Sequence, residues 1–196
     1  MDTQSSTIID QISQNPFLLA HIFKFLTCQE LLKLAKICEN FHDLIVNHIW
    51  KLKYENLHIL EFMSKYIISN VTPNEILLEK DYKEFLQLNV NNIKQLKIST
   101  FSMLNKCSIT FQLNLEFSNL SELSVRDVKF MADDIKCITR NFPYLRKFDI
   151  KNCFRANGAA IHTMKDLDND IFERLMHLEV LKIEHTFQNV YYRKQL

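Results

Sequence analysis

The chain has 196 residues, of which 47% are apolar and 24% charged, enough for a sizeable core in one domain or two small ones. Its formal net charge is +1, from 24 basic and 23 acidic residues scattered along the chain, which argues against the basic footprint of a nucleic-acid or anionic-membrane binder. The single glycine, Gly158, excludes a Gly-rich phosphate loop, a dinucleotide fingerprint and a nucleophile elbow.

Residues 1–14 read as a disordered start. Met1-Asp2-Thr3-Gln4 has neither the basic region nor the apolar run of a signal peptide, and no stretch approaches the roughly 18 to 20 apolar residues of a membrane helix. The five cysteines (Cys28, Cys38, Cys107, Cys137 and Cys153) are odd in number, and no two stand in C-x-x-C spacing. Reduced, buried thiols in a cytoplasmic or nuclear protein are expected, rather than a disulfide or zinc framework.

Residues 15–52 form the first folded segment. Asn15 followed by Pro16 is a helix start, and Leu18, Leu19, Ile22, Phe23 and Leu26 follow at helical spacing. Thr27-Cys28-Gln29-Glu30 is a capping box that opens a second helix, with Leu31, Leu34, Ile37 and Cys38 on one stripe. A third helix runs from about Glu39 to Val46, and Ile49-Trp50 and Leu52 close the block. Of these 38 residues, 22 are Ala, Val, Ile, Leu, Phe, Trp or Cys. So short a piece cannot sustain its own core, and its apolar excess must pack on the rest of the chain, on a partner, or on both.

This order of Pro16, Ile22-Phe23, Leu26, Leu31-Leu32, Ile37-Cys38, Phe41 and Ile49-Trp50 resembles the F-box. It departs from the family pattern at its start, where Asn15-Pro16 replaces Leu-Pro and the following acidic residue is missing; the loop before Trp50 is one residue short. The resemblance implies binding of a Skp-type adaptor and, through it, a cullin scaffold of a ubiquitin ligase. The residues assigned to the adaptor face are Pro16, Leu18, Leu19, Ile22, Leu31, Leu34 and Trp50, with Phe23, Leu26, Ile37 and Phe41 in the block's own core. The alternative is that these helices only cap the domain that follows.

Residues 53–90 read as a helical linker. Residues 55–68 are expected to be helical, although Ile59, Phe62, Ile67 and Ile68 would also suit a strand. Thr72-Pro73-Asn74-Glu75 is a second capping box, starting a helix to about Leu88.

Residues 91–196 repeat the template apolar-x-x-apolar-x-apolar, first as Ile93, Leu96, Ile98 and Leu120, Leu123, Val125, then as Leu145, Phe148, Ile150 and Leu178, Leu181, Ile183. The steps are 27, 25 and 33 residues, and a Phe trails each unit at 101, 130, 154 and 187. No unit of this kind buries its apolar face alone, so the units must stack. Residues 109–117 alternate strictly, a strand signal, whereas 132–141 and 168–176 read as helices and Asn157-Gly158 as a turn.

These four units, and Phe142-Pro143-Tyr144-Leu145 to Asn152-Cys153 above all, resemble the leucine-rich repeats found behind F-boxes. The combined resemblance implies an α/β architecture: a three-helix F-box, a helical linker and a short solenoid of about four repeats with a parallel sheet. It also implies that the repeats hold a protein client.

The strand residues between the apolar ones should share one open face. They are Gln95, Lys97 and Ser99; Glu122, Ser124 and Arg126; Lys147, Asp149 and Lys151; and Val180, Lys182 and Glu184. Lys97, Ser99, Glu122, Arg126, Lys147, Asp149, Lys151 and Lys182 are the candidate client contacts, suited to an acidic or phosphorylated segment; a solvated mixed-charge surface is the alternative. Tyr191 and Tyr192 would enlarge this platform or plug the solenoid's open end; that end is otherwise covered by residues 187–196 or by a partner, or belongs to a short variant.

No catalytic constellation emerges. None of the seven histidines pairs with another ligand at a metal-binding interval, and Cys153 has no basic neighbour to activate it. The expected function is therefore that of a non-catalytic substrate receptor of a Skp–cullin–F-box ubiquitin ligase, needing no metal or cofactor and acting by proximity. A repeat scaffold outside any ligase is the second reading.

Overall fold

A computed structural model describes residues 14–59, 79–99, 112–130, 132–155, 174–185 and 188–193. The chain divides into two compact units, Met1–Lys53 and Tyr54–Leu196.

The first unit is helical because its caps are in place. Asn15 Oδ1 accepts the N–H groups of Phe17 (3.0 Å) and Leu18 (3.2 Å), and Pro16 occupies a helical position that needs no N–H, so α1 spans Pro16–Phe23. Thr27 Oγ1 accepts the Glu30 N–H at 3.2 Å while Glu30 Oε2 accepts the Thr27 N–H at 2.7 Å, which starts α2 at Cys28–Leu34. The backbone and side-chain hydrogen bonds from Thr27 hold the Glu30 carboxyl below its usual range. Helix α3, Glu39–Asp43, runs on into a π-helical segment, Leu44–Trp50, followed by α4, Lys51–Tyr54. Phe23 meets Phe41 edge-on at 5.3 Å. Phe23, Leu32, Ala35, Ile45, Val46 and Ile49 are buried. Ile37, expected in this core, is 65% exposed, because α2 stops at Leu34 and Ile37 falls in the turn beyond it. Cys38 is exposed for the same reason, contrary to the expectation of buried thiols.

The second unit is built on a sheet of six strands in the order β1 (Asn56–His58), β2 (Gln95–Ser99), β3 (Glu122–Arg126), β5 (Lys147–Lys151), β7 (Val180–His185) and β8 (Gln188–Arg193). The first five are parallel, and β8 returns antiparallel along β7. A separate parallel pair joins β4 (Lys129–Phe130) to β6 (Phe154–Arg155). The architecture is thus mixed helix and parallel sheet, the α/β class. The template strands pair in register as Leu96, Leu123, Phe148, Leu181 and as Ile98, Val125, Ile150, Ile183; all eight are buried. Helices α5 (Glu79–Asn89) and α6 (Ala132–Asn141) add Tyr82, Phe85, Leu86 and Ile138 to the interior, Tyr54 packing edge-on against Phe85 at 4.9 Å.

Backbone contacts recur from unit to unit. The Glu55 carbonyl accepts the N–H groups of Lys94 and Gln95, and the carbonyls of Lys94, Ser121 and Arg146 do the same for Ser121 and Glu122, Arg146 and Lys147, Glu179 and Val180. Buried Asn141 ties two units together: its Nδ2 donates to the Leu113 carbonyl at 2.7 Å, and its own carbonyl accepts the Phe117 N–H. Asp127 and Asn152, the residues that end β3 and β5, take positive φ (54° and 50°), a conformation that Asp and Asn tolerate better than most side chains.

The structure alters two expectations for this unit, those for residues 55–68 and 109–117. Within 55–68, expected to be helical, residues 56–58 form strand β1 with Leu57 buried, and 60–68 lie outside the described residues. Helix α5 extends to Asn89, while the capping box at Thr72 also lies outside. Residues 112–113 are helical and 114–119 turn, so the described part of 109–117 is no strand. Leu113 and Phe117 are buried at an i, i+4 spacing, and Gln112, which alternation turns outward, is buried with its Nε2 donating to the Tyr82 hydroxyl at 2.9 Å. Of the helix expected at 168–176, only 174–176 are described, with Arg174 helical and Leu175 buried.

Phe148 is the largest apolar side chain facing inward from the central strand β5. Phe148→Ala should lower unfolding free energy by about 3–5 kcal/mol, and Thr27→Ala by about 1 kcal/mol through the lost cap. Urea denaturation of both variants checks the two values.

Candidate binding surfaces

The first unit leaves much of α1 uncovered. Phe17 is 85% exposed, Leu18 47% and Ile22 45%, with Pro16 exposed and Leu19 and Leu34 half-buried. Helical geometry separates two flanks: Leu18 and Ile22 on one, Phe17, Ala20 and Lys24 on the other. The second flank lines an apolar groove of about 550 Å³ with Leu44, His48 and Leu52, the last 82% exposed. Leu31 and Trp50, assigned to an adaptor face from the sequence, are buried within the chain and present no side chain to a partner. Leu31 lies on the inward stripe of α2 with Leu32 and Ala35; Trp50 ends the buried stripe Ile45, Val46, Ile49 of the π-helical segment.

The second surface is the open face of the parallel sheet. Strand register brings its side chains into rows: Gln95, Glu122, Lys147 and Val180; then His58, Lys97, Ser124, Asp149 and Lys182; then Ser99, Arg126, Lys151 and Glu184. All eight client-contact candidates lie on this one face. Lys147 Nζ reaches Glu122 Oε1 at 2.7 Å, Lys151 Nζ reaches Glu184 Oε2 at 2.8 Å, and Lys182 also pairs with Glu184. Hydrogen bonds from Lys151 and Lys182 hold the Glu184 carboxyl below its usual range. A shallow depression of about 230 Å³ runs over this face past Lys97, Ser124 and Asp149. Tyr191 stands opposite Lys182 and Tyr192 opposite Leu181, so β8 lines the edge of the sheet next to the platform.

Asp149 lies at the centre of this face. Burial raises its carboxyl above the usual range, with Glu184 adding to the rise; Lys182, Lys151 and a hydrogen bond from Ser124 oppose it. Cys153 lies just beyond β5, buried; its Sγ donates to the carbonyls of Val125 (3.5 Å) and Lys151 (3.4 Å), and burial pushes its thiol up to about 11. That environment suits a structural thiol rather than a nucleophile. Among the described residues no group of His, Cys, Asp or Glu is placed to hold a metal ion, and no helix is long and apolar enough to cross a membrane.

Sequence reasoning passed over Phe17 and Leu52, the most exposed apolar side chains of the groove, and His58, which β1 adds to the middle row. The signal for the first two was present: Phe17 is three and seven residues before Ala20 and Lys24, as Leu44, His48 and Leu52 are four apart. Comparison with protein-family models gives no match for this chain, and comparison with curated proteins gives none either.

A carboxyl whose folded value is raised contributes stability that is present at pH below its unfolded value and is lost as pH rises through the folded one. Asp149→Asn should therefore gain stability relative to the unaltered chain as pH climbs out of the acid range. Thermal melts of both proteins from acid to neutral pH check the sign; a difference independent of pH contradicts it.

Proposed function

We propose that the chain is the substrate-recognition subunit of a Skp–cullin–F-box ubiquitin ligase. Its N-terminal helical unit docks a Skp-type adaptor, and through it a cullin, while the open sheet face of a short leucine-rich-repeat array holds a protein client. The subunit is non-catalytic, uses no cofactor or metal, binds neither nucleic acid nor membrane, and works in the cytoplasm or nucleus by bringing its client near an activated ubiquitin carrier.

The observation that carries this reading is the exposed apolar flank of α1, Leu18 and Ile22, in a unit whose residue order resembles the F-box. Apolar side chains on a capped helix with no cover of their own are the usual mark of a partner's docking site. Leu19 and Leu34, half-buried, complete the proposed contact, and Leu31 and Trp50 support it from the interior. The in-register strands and the step-by-step backbone contacts suit a repeat array.

The test is retention on an immobilised Skp-type adaptor. The intact chain should be retained, and Leu18→Asp/Ile22→Asp should weaken retention at least about tenfold, with an unchanged circular-dichroism melt because both side chains point outward. If the intact chain is not retained where a standard F-box protein is, the remaining reading is a repeat scaffold that joins no ligase. Co-purification of a cullin separates the same two readings in cells.

A further inference from the structure

The charges on the open sheet face are not evenly neutralised. On the β5–β7 side every cation has an acid: Lys147 holds Glu122, and Lys151 and Lys182 share Glu184. On the β2–β3 side, Lys97 and Arg126 are exposed, and among the described residues neither has an ionic or hydrogen-bonding partner. They are diagonal neighbours, because Lys97 pairs in register with Ser124 and Ser99 with Arg126. Acids stand diagonal to both, Glu122 to Lys97 and Asp149 to Arg126, but Glu122 is held by Lys147 and Asp149 is half-buried. The Ser99 hydroxyl beside Arg126 is buried without a partner among the described residues.

Strand geometry puts the Cα atoms of Lys97 and Arg126 roughly 8 Å apart, from about 4.8 Å between strands and about 6.7 Å along two residues. An extended peptide places alternate side chains on one side at nearly that interval, about 6.6–6.8 Å. A guanidinium grips a carboxylate with two parallel N–H bonds, and an ammonium takes a second carboxylate as a point charge. We propose that the β2–β3 half of this face binds an extended protein segment carrying two carboxylates at alternate positions, Asp or Glu, one on Lys97 and one on Arg126. This rests on the proposed client-binding role of the sheet face and specifies the client's chemistry.

The experiment is fluorescence anisotropy of the intact chain with three labelled ten-residue peptides. One alternates Thr with Glu, one alternates Thr with Gln, and one is the Gln peptide with a single central phosphoserine. The Glu peptide should bind at least about tenfold more tightly than the Gln peptide at low salt, and the gap should narrow as salt rises. Lys97→Gln/Arg126→Gln should remove that preference. Lys80→Gln/Lys136→Gln, which removes the same net charge from exposed positions on α5 and α6, should change it less than about twofold. Equal binding of the Glu and Gln peptides, an equal loss in both double variants, or preference for the phosphoserine peptide alone overturns the proposal. Adaptor retention by the Lys97/Arg126 variant is measured in parallel. In the unaltered chain, retained adaptor with no Glu preference defeats this proposal alone, whereas lost adaptor binding with an intact Glu preference defeats the ligase reading alone.

Discussion

One backbone contact, repeated from unit to unit, fixes everything on the sheet. At the start of each strand a single carbonyl, of Glu55, Lys94, Ser121 or Arg146, receives two successive N–H groups of the next unit. A carbonyl oxygen has two lone pairs, so both bonds can form at once. Side chains alternate with period 2, and a slip of one residue would send Leu96, Leu123, Phe148 and Leu181 to solvent and Lys97, Ser124, Asp149 and Lys182 inward. The contact holds although the template recurs at steps of 27, 25 and 33 residues, so the return segments absorb the difference in length. The residues that make the contact also pair by charge: Lys94 Nζ meets Glu55 Oε1 at 2.5 Å, and Arg146 Nε donates to Glu179 Oε1 at 2.7 Å. These pairs are solvent-exposed and each contributes no more than about 1 kcal/mol. The backbone bonds and the burial they enforce supply most of the stabilisation.

Register also explains why the open face is electrically lopsided. It sets Glu122 beside Lys147 and Lys151 beside Glu184 across neighbouring strands, where a long cation reaches a carboxylate without bending the sheet. Asp149 occupies the middle row of this face and is half-buried, and that loss of water raises its carboxyl despite two nearby lysines. Lys151 and Lys182, which oppose that rise, also pair with Glu184, whose own charge adds to it. Lys97 and Arg126, two strands and one strand away, meet serines in register instead of acids. The same alternation that builds the core thus leaves two adjacent cations facing solvent.

How far the sequence disclosed this depended on which force decided each element. Where burial of one face decides, period 2 is visible, and β2, β3, β5 and β7 lie where the template puts them. Where a cap decides, the signature is equally local: Asn15-Pro16 and Thr27 to Glu30 mark their helices correctly. Strand β1 escaped because Asn56-Leu57-His58 has one buried side chain and owes its conformation to pairing with β2, a partner 39 residues away. Residues 112–117 misled because Leu113 and Phe117 satisfy both the strand and the helix period, and only the bond between Gln112 and Tyr82, 30 residues apart, breaks the tie. Of the surfaces, the polar rows of β2, β3, β5 and β7 were legible, since alternation alone assigns them, whereas His58 of β1 was not. The exposure of α1 was legible in part: Pro16, Leu18 and Ile22, assigned to an outer face, are exposed, whereas Phe17 was passed over.

The apolar excess of residues 15–52 is distributed in an informative way. Leu31 and Trp50 are buried in the interior, while Leu18 and Ile22 stay outside with Phe17 and Leu52. An eight-residue helix is marginal by itself, so α1 depends on its Asn15 cap and on Phe23, its one fully buried side chain, packed against Phe41. A helix anchored through a single aromatic and a cap retains two apolar flanks. One flank is walled into a groove by Leu44, His48 and Leu52; the other, with Leu18 and Ile22, is not part of that groove. A partner helix laid along the second flank would bury Leu18 and Ile22 without disturbing Phe23. The proposed adaptor contact and the folding of this unit therefore draw on different residues of α1, and a substitution can remove one while sparing the other.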